Sequence, residues 1–165
     1  VSGYSPRMRL DLIVNTMFKS ALLEKTITIN NPSIWRPIFS LRDVGVAFLR
    51  AIQADYSISG VFNVASENCT VGHVGDLVKT EMEKLLGEKI KLNIRNVEDF
   101  RNYKVSTAKA KTELGFQPTA CLKDIVGDLF EHRSLFSDFD NDRYYNIKVF
   151  KKIQADMAPS LEIGR

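Results

Sequence analysis

The chain of 165 residues has no glycine-rich phosphate loop and no nucleophile elbow. A pyrophosphate cradle needs glycines between a strand and a helix, where backbone amides can approach the ligand closely. The nearest approach to this pattern, Val71-Gly72-His73-Val74-Gly75, follows a cap residue and reads as two glycines in the first turn of a packed helix. No G-x-S-x-G is present, which leaves no serine-hydrolase centre to argue. Cysteine and histidine are scarce, at two each. Cys69 and Cys121 stand far apart and read as reduced thiols. His73 and His132 have no partner at ligand spacing, so no metal ligand is expected. No apolar run reaches about 18 residues, so no membrane span is expected. The net charge of +3 is spread along the chain, which does not suggest nucleic acid as a partner.

Two short matches carry little. Tyr144-x-x-x-Lys148 has the spacing of a tyrosine whose proton affinity a lysine lowers. It is short and near the C-terminal end, and reads as chance. Asn68-Cys69-Thr70 matches a glycosylation sequon, but no signal peptide accompanies it.

What is present alternates. Apolar positions at helical spacing run from Met8 to Glu24. Thr26 to Ile29 is β-branched and reads as a strand, followed by a turn at Asn30-Asn31-Pro32-Ser33. A second strand, Ile34 to Phe39, contains Pro37 and therefore belongs at an edge. Ser40 and Asp43 cap a helix to about Ala54. Val61 to Ala65 reads as a strand buried on both faces, and Val1 to Gly3 as the end of another. Thr70 opens a helix that Gly87 stops, Lys89 to Ile94 is a strand, and Tyr103 to Ser106 a short one. Ser106 caps a helix closed by Gly115, and Leu122 to His132 is helical. The tail from Ser137 is irregular, then weakly helical from about Asn146.

This order defines an α/β protein. Two buried strands do not make a stable parallel sheet, so sheet partners are expected in a preceding part of the protein. The opening Val-Ser-Gly, without methionine, carries the same expectation of a fragment. Such a fragment alone should expose apolar sheet surface and associate.

The arginines are the best candidates for chemistry, because guanidinium matches a diphosphate bidentately. Arg36 sits between a buried-looking Trp35 and Pro37, which holds its segment extended. Arg101 lies in Asp99-Phe100-Arg101-Asn102-Tyr103, before the short strand. Arg7 and Arg9 lead into the first helix, and Asp43 reads as a cap and not as an acid catalyst.

Four segments in this order resemble a known family: Trp35 to Val44, Val61 to Asn68, Tyr103 to Ser106, and Lys109 to Pro118. Together they look like the C-terminal half of the extended short-chain dehydrogenase/reductases, the NAD-dependent nucleotide-sugar epimerases and dehydratases. The resemblance runs from residue 1 to about 135. The tail at Asp142-Arg143-Tyr144-Tyr145-Asn146 is similar to a C-terminal extension of some bacterial members.

The resemblance implies a small mixed α/β substrate-binding subdomain plus two strands of the Rossmann-like sheet. It places the NAD or NADP loop and the catalytic residues in an absent N-terminal half, so no catalytic residue is expected here. It implies a division into residues 1–135 and an extension, 136–165. A nucleoside-diphosphate sugar would be bound by Arg36 and Arg101, with Asn15 and Arg9 beside it. Ser2 and Tyr4 fall where the family has Tyr-Gly-Pro beside the nicotinamide; here serine replaces the tyrosine and tyrosine the proline. In the intact enzyme, hydride transfer from the sugar ring would precede epimerisation, dehydration or reduction. A cytoplasmic location and, in the intact protein, a homodimer agree with the family. The alternative is a non-catalytic α/β interaction module that keeps only the family's fold.

Overall fold

A computed structural model describes residues 1–98 and 101–157. Helix α1 spans Ile13–Glu24 and leads through Lys25, in the left-handed conformation, into strand β1, Thr26–Asn30. Strand β2 (Trp35–Ile38) runs into helix α2 (Leu41–Gln53). Strand β3 (Glu67–Thr70) runs into helix α3 (Val71–Leu86), and strand β4 covers Lys91–Arg95. Helices α4 (Ala108–Leu114), α5 (Leu122–Glu131) and α6 (Asn146–Met157) follow, with 3-10 turns at Arg133–Phe136 and Asp142–Tyr144.

The strands form two pairs. β1 and β4 are parallel, Thr26 opposite Lys91 and Asn30 opposite Arg95. β2 and β3 are antiparallel, Trp35 opposite Thr70 and Ile38 opposite Glu67. The core lies between the β1–β4 pair and three helices. Val14, Phe18 and Ala21 of α1 meet Val74, Val78 and Met82 of α3, with Ile125 and Leu129 of α5 and Ile27 and Ile29 of β1. The two glycines of α3 serve this packing. A Cβ at Gly75 would fall inside the contact radius of the Ile29 side chain, and one at Gly72 would meet Pro32.

Local signals held where the backbone carries them. Ser40 Oγ accepts from Asp43 N at 3.0 Å and Thr70 Oγ1 from His73 N at 3.2 Å. Gly87 and Gly115 close their helices in the left-handed conformation, as C-terminal glycines do. Ser106 is not the cap of α4; Thr107 holds that position without a side-chain bond.

Five expectations are corrected. The first helix starts at Ile13, not Met8, because the preceding carbonyls are used elsewhere: Asn15 Nδ2 donates to Arg9 O and Thr16 Oγ1 to Leu10 O. Val61 to Ala65 is not a strand. Among the described residues it has no ladder partner, and Val61 is 85% exposed. Ser2 contributes one parallel bridge, to Ser40, and Val1 is exposed. Tyr103 to Ser106 is not a strand either. The side-chain amide of Asn68 bonds the Val105 backbone in both directions, at 3.0 Å each, and so stands in for a ladder. Trp35 is half-buried, its ring covered by Lys104 Nζ at 3.5 Å.

The segment after residue 135 enters the core. Phe136 and Tyr144 are fully buried, and Leu10 N donates to Tyr144 O. The Tyr144 hydroxyl meets Arg143 Nη2, while Lys148 pairs with Asp142, so the Tyr-x-x-x-Lys spacing does not form a pair. Helix α6 buries none of its residues.

Exposed apolar side chains lie on strand β4, at Ile94, and in larger number on helices. Along α2 only Asp43 is buried, while Phe48 is 67% and Ile52 78% exposed. A cluster of large apolar side chains in water favours association. The chain alone should therefore sediment with a concentration-dependent mass, and the pair Phe48→Glu and Ile52→Lys should shift it towards the monomer. A monomer at every concentration would contradict this.

Candidate functional site

Strand β2 is short, ends in the cap of α2, and points Arg36 into a cleft of about 480 Å³. Arg101 lines the same cleft, so two arginines 65 residues apart in sequence border one cavity. Arg36 Nη1 donates to Trp35 O at 2.9 Å and also to Arg101 O. Its guanidinium lies 5.8 Å from the centre of the Tyr103 ring. The cation is thus oriented by two carbonyls and an aromatic face, which limits the entropy lost when it grips an anion. The segment carrying Arg101 is fixed to β2 by backbone and amide bonds: Trp35 N donates to Asn102 Oδ1 at 2.8 Å, and Tyr103 N to Trp35 O at 3.3 Å. The other walls mix Thr16, Thr28 and Asn30 with apolar Ile34 and Val71. Such a cavity offers charge for a diphosphate, hydroxyls and an amide for a sugar or ribose, and a flat aromatic neighbour.

A shallower depression of about 240 Å³ adjoins this cleft and shares Val1, Ser2 and Leu12 with it. Arg7, Arg9 and Asn15 line it. Arg9 forms a two-pronged ion pair with Asp11, at 3.1 Å for both bonds. Asn15 is buried; its amide donates to Arg9 O at 2.9 Å, and its oxygen faces Gly3 N at 3.5 Å. Asn15 therefore holds the loop at residues 3–9 in place from the first turn of α1.

A third cleft, of about 620 Å³, has mixed charge, with Arg42, Lys123, Asp124, Asp128 and Glu131 around it. Ser2 lines all three cavities. Its backbone is fully engaged: its amide donates to Phe39 O, and its carbonyl accepts from Leu41 N, both at 2.8 Å. Tyr4 N donates to Asp128 Oδ2 at 2.7 Å. One face of the Tyr4 ring is taken by His132, stacked at 4.4 Å with the planes parallel. The Ser2–Tyr4 loop therefore leaves little for a nicotinamide beyond the Ser2 side chain and the free edge of Tyr4. No backbone cradle for a pyrophosphate accompanies it among the described residues. This chain's own groups do not fit the cofactor as a site by themselves.

The residue with most influence on the site's frame is Asp43. It is fully buried, and its carboxylate accepts from Ser66 Oγ at 2.7 Å, Thr119 N and Oγ1 at 2.8 Å each, and Ala120 N at 3.3 Å. Burial pushes its pKa up, but the bonds from Thr119, Ser66 and Ser40 outweigh this and hold the carboxyl below its ordinary range. Its expected role as a cap is therefore half of what it does. Ser40 N donates to Ser66 Oγ at 3.0 Å, and Asp43 joins α2 both to Ser66 and to the loop before α5.

One cluster escaped the sequence reading. Glu67 and Cys69, on one face of β3, meet His73 of α3, with their ligand atoms all within 4.8 Å of one another. The three straddle a strand and a helix, so neither the period of two nor that of 3.6 exposes them.

No protein-family model matches the chain. Solved structures do. UDP-glucuronic acid 4-epimerase from Bacillus cereus, in complex with UDP-glucuronic acid and NAD, superposes with a TM-score of 0.67 at 22% identity, over 81% of this chain and 43% of that one. ADP-L-glycero-D-manno-heptose-6-epimerase from Helicobacter pylori gives a TM-score of 0.58 at 18% identity, over 73% and 36%. L-threonine dehydrogenase from Phytophthora infestans gives 0.63 at 17%, over 81% and 45%. The fold is thus that of the C-terminal part of the Rossmann-like extended short-chain dehydrogenase/reductases. The chain spans less than half the length of the structures it matches. Among the described residues no helix is long and apolar enough to cross a membrane.

Proposed function

We propose that this chain is the nucleotide-sugar-binding portion of an NAD- or NADP-dependent epimerase or dehydratase. The observation that carries the reading is the shared cleft of Arg36 and Arg101. Two arginines bordering one cleft whose lining also carries hydroxyl and amide groups match a nucleoside diphosphate sugar better than an uncharged metabolite. Arg36 and Arg101 bind the diphosphate, and Tyr103 steadies Arg36 by its ring face. Asn15 and the paired Arg9 position the loop at the sugar's end of the site. The cofactor supplies hydride chemistry from a Rossmann half outside this chain, and the Ser2–Tyr4 loop borders it. The reading agrees with the fold shared with a UDP-glucuronic acid 4-epimerase that holds both UDP-glucuronic acid and NAD.

The test is calorimetric titration of the protein with UDP-glucuronic acid and with uridine. The diphosphate sugar should bind and weaken steeply with added salt, as a contact between charges does. Uridine should bind far more weakly. Equal affinity for both, or no binding of the diphosphate sugar by the intact protein, would refute the assignment.

A further inference from the structure

Beyond the arginine cleft, the chemistry-bearing side chains that converge most closely are Glu67, Cys69 and His73. Strand alternation places Glu67 and Cys69 on the same face of β3. The strand passes at once into α3 through the Thr70 cap, and the first helical turn brings His73 back over that face. The carboxylate oxygen, the thiol sulfur and the ring nitrogen then lie within 4.8 Å of one another.

We propose that Glu67, Cys69 and His73 form a binding site for one divalent transition-metal ion of the zinc class. A tetrahedral ion with bonds of about 2.0 to 2.3 Å holds neighbouring ligands roughly 3.3 to 3.8 Å apart. The observed cluster reaches that spacing by a shift of about 1 Å, which the exposed His73 side chain can supply.

The donor set decides the class of ion. Sulfur and imidazole nitrogen with a single carboxylate suit zinc, cobalt or copper, whereas magnesium and calcium take oxygen ligands. The carboxylate is already oriented, because Glu67 Oε1 accepts from Leu122 N at 2.9 Å. A fixed outer contact of this kind is what holds a metal ligand in its pose. Three protein ligands leave the fourth position to water on the exposed side of His73.

Burial first, then the hydrogen bond to Glu67 and its charge, push Cys69 up to about 12, so the apo thiol keeps its proton beside the carboxylate. A bound dication inverts that local balance. The sulfur then ligates as thiolate, and its proton leaves to solvent. The site joins β3 to the start of α3 and, through Glu67, to the start of α5.

Cobalt(II) is the probe, added to the full chain after reduction and removal of metal. One equivalent should produce a thiolate-to-cobalt charge-transfer band, and zinc(II) should bleach it and raise the thermal midpoint. Cys121→Ser, which removes the exposed thiol, should leave the band unchanged. Cys69→Ser should abolish it. His73→Ala removes an exposed side chain, and should weaken cobalt binding at least about tenfold while far-ultraviolet dichroism stays the same. No band, a band lost with Cys121, or His73→Ala binding as the parent does would each overturn the site.

Discussion

Asp43→Ala is expected to destabilise the protein by about 3 to 5 kcal/mol, the cost of leaving buried donors without their charged acceptor. Four bonds end on this carboxylate, two of them from backbone amides of Thr119 and Ala120. Among the described residues those amides meet no other acceptor, Ala120 is buried, and the carboxylate itself is fully buried. At roughly 2 to 4 °C per kcal/mol for a chain of this size, the midpoint should fall by about 10 °C. Thermal or urea denaturation of parent and variant measures it.

The pH dependence of the difference has a definite sign. The folded carboxyl is held below its ordinary range, so the unfolded chain takes up its proton first as pH falls. Asp43 therefore stabilises fully above the ordinary carboxylate range, and its contribution disappears as pH drops through the lowered folded value. The gap between parent and Asp43→Asn should be largest near neutrality and shrink in acid. A gap independent of pH would show that the charge of Asp43 has no part in holding the loop.

Arg36→Ala is expected to weaken binding of a nucleoside diphosphate sugar by about 1.5 to 3 kcal/mol, the scale of a lost charged hydrogen bond. That corresponds to roughly 10- to 150-fold in Kd. Arg36→Lys should recover part of the loss, because an ammonium keeps the charge and lacks the planar fork. The guanidinium also donates to Arg101 O, so its removal could loosen the neighbouring segment. Uridine separates the two effects. A variant that loses only phosphate contacts binds uridine as the parent does, whereas a loosened segment weakens both ligands. Unchanged affinity of Arg36→Ala for the diphosphate sugar would remove the basis of the functional reading.

The residues differ in how far their roles could be read in advance. Thr70 and Gly87 bound α3 where the spacing placed them, because a cap is a contact within four residues of the chain. Pro37 belongs at an edge for a local reason too, having no amide to donate, and β2 is one strand of a pair. The apolar run Val61 to Ala65 misled, because a strand exists only by its neighbours, and periodicity is silent on whether they are there. Tyr103 to Ser106 misled for the converse reason, since the Asn68 amide takes the place of a backbone partner.

The candidate site divides in the same way. Arginine chemistry singled out Arg36 and Arg101, but the fold alone brought both to one cavity. Asn15 was placed on the first helix, and the structure adds that its amide ties down the loop at Arg9. Asp43 was legible as the partner of Ser40 three residues before it, and illegible as the acceptor of Thr119, 76 residues later. Cys69 and His73 read as isolated residues and Glu67 carried no signal of its own, whereas the fold brings the three together.

From its residues alone this protein's alternation of strand and helix, its helix ends and its strongest anion-binding side chains could be stated, since each depends on steric and hydrogen-bonding preferences acting over a few positions. Which distant groups meet was decided by the folded chain. Burying α1, α3 and α5 against β1 and β4 is a property of the whole sequence at once, and the contacts that build the arginine cleft, the Asp43 hub and the thiol cluster follow from that packing and from no shorter stretch.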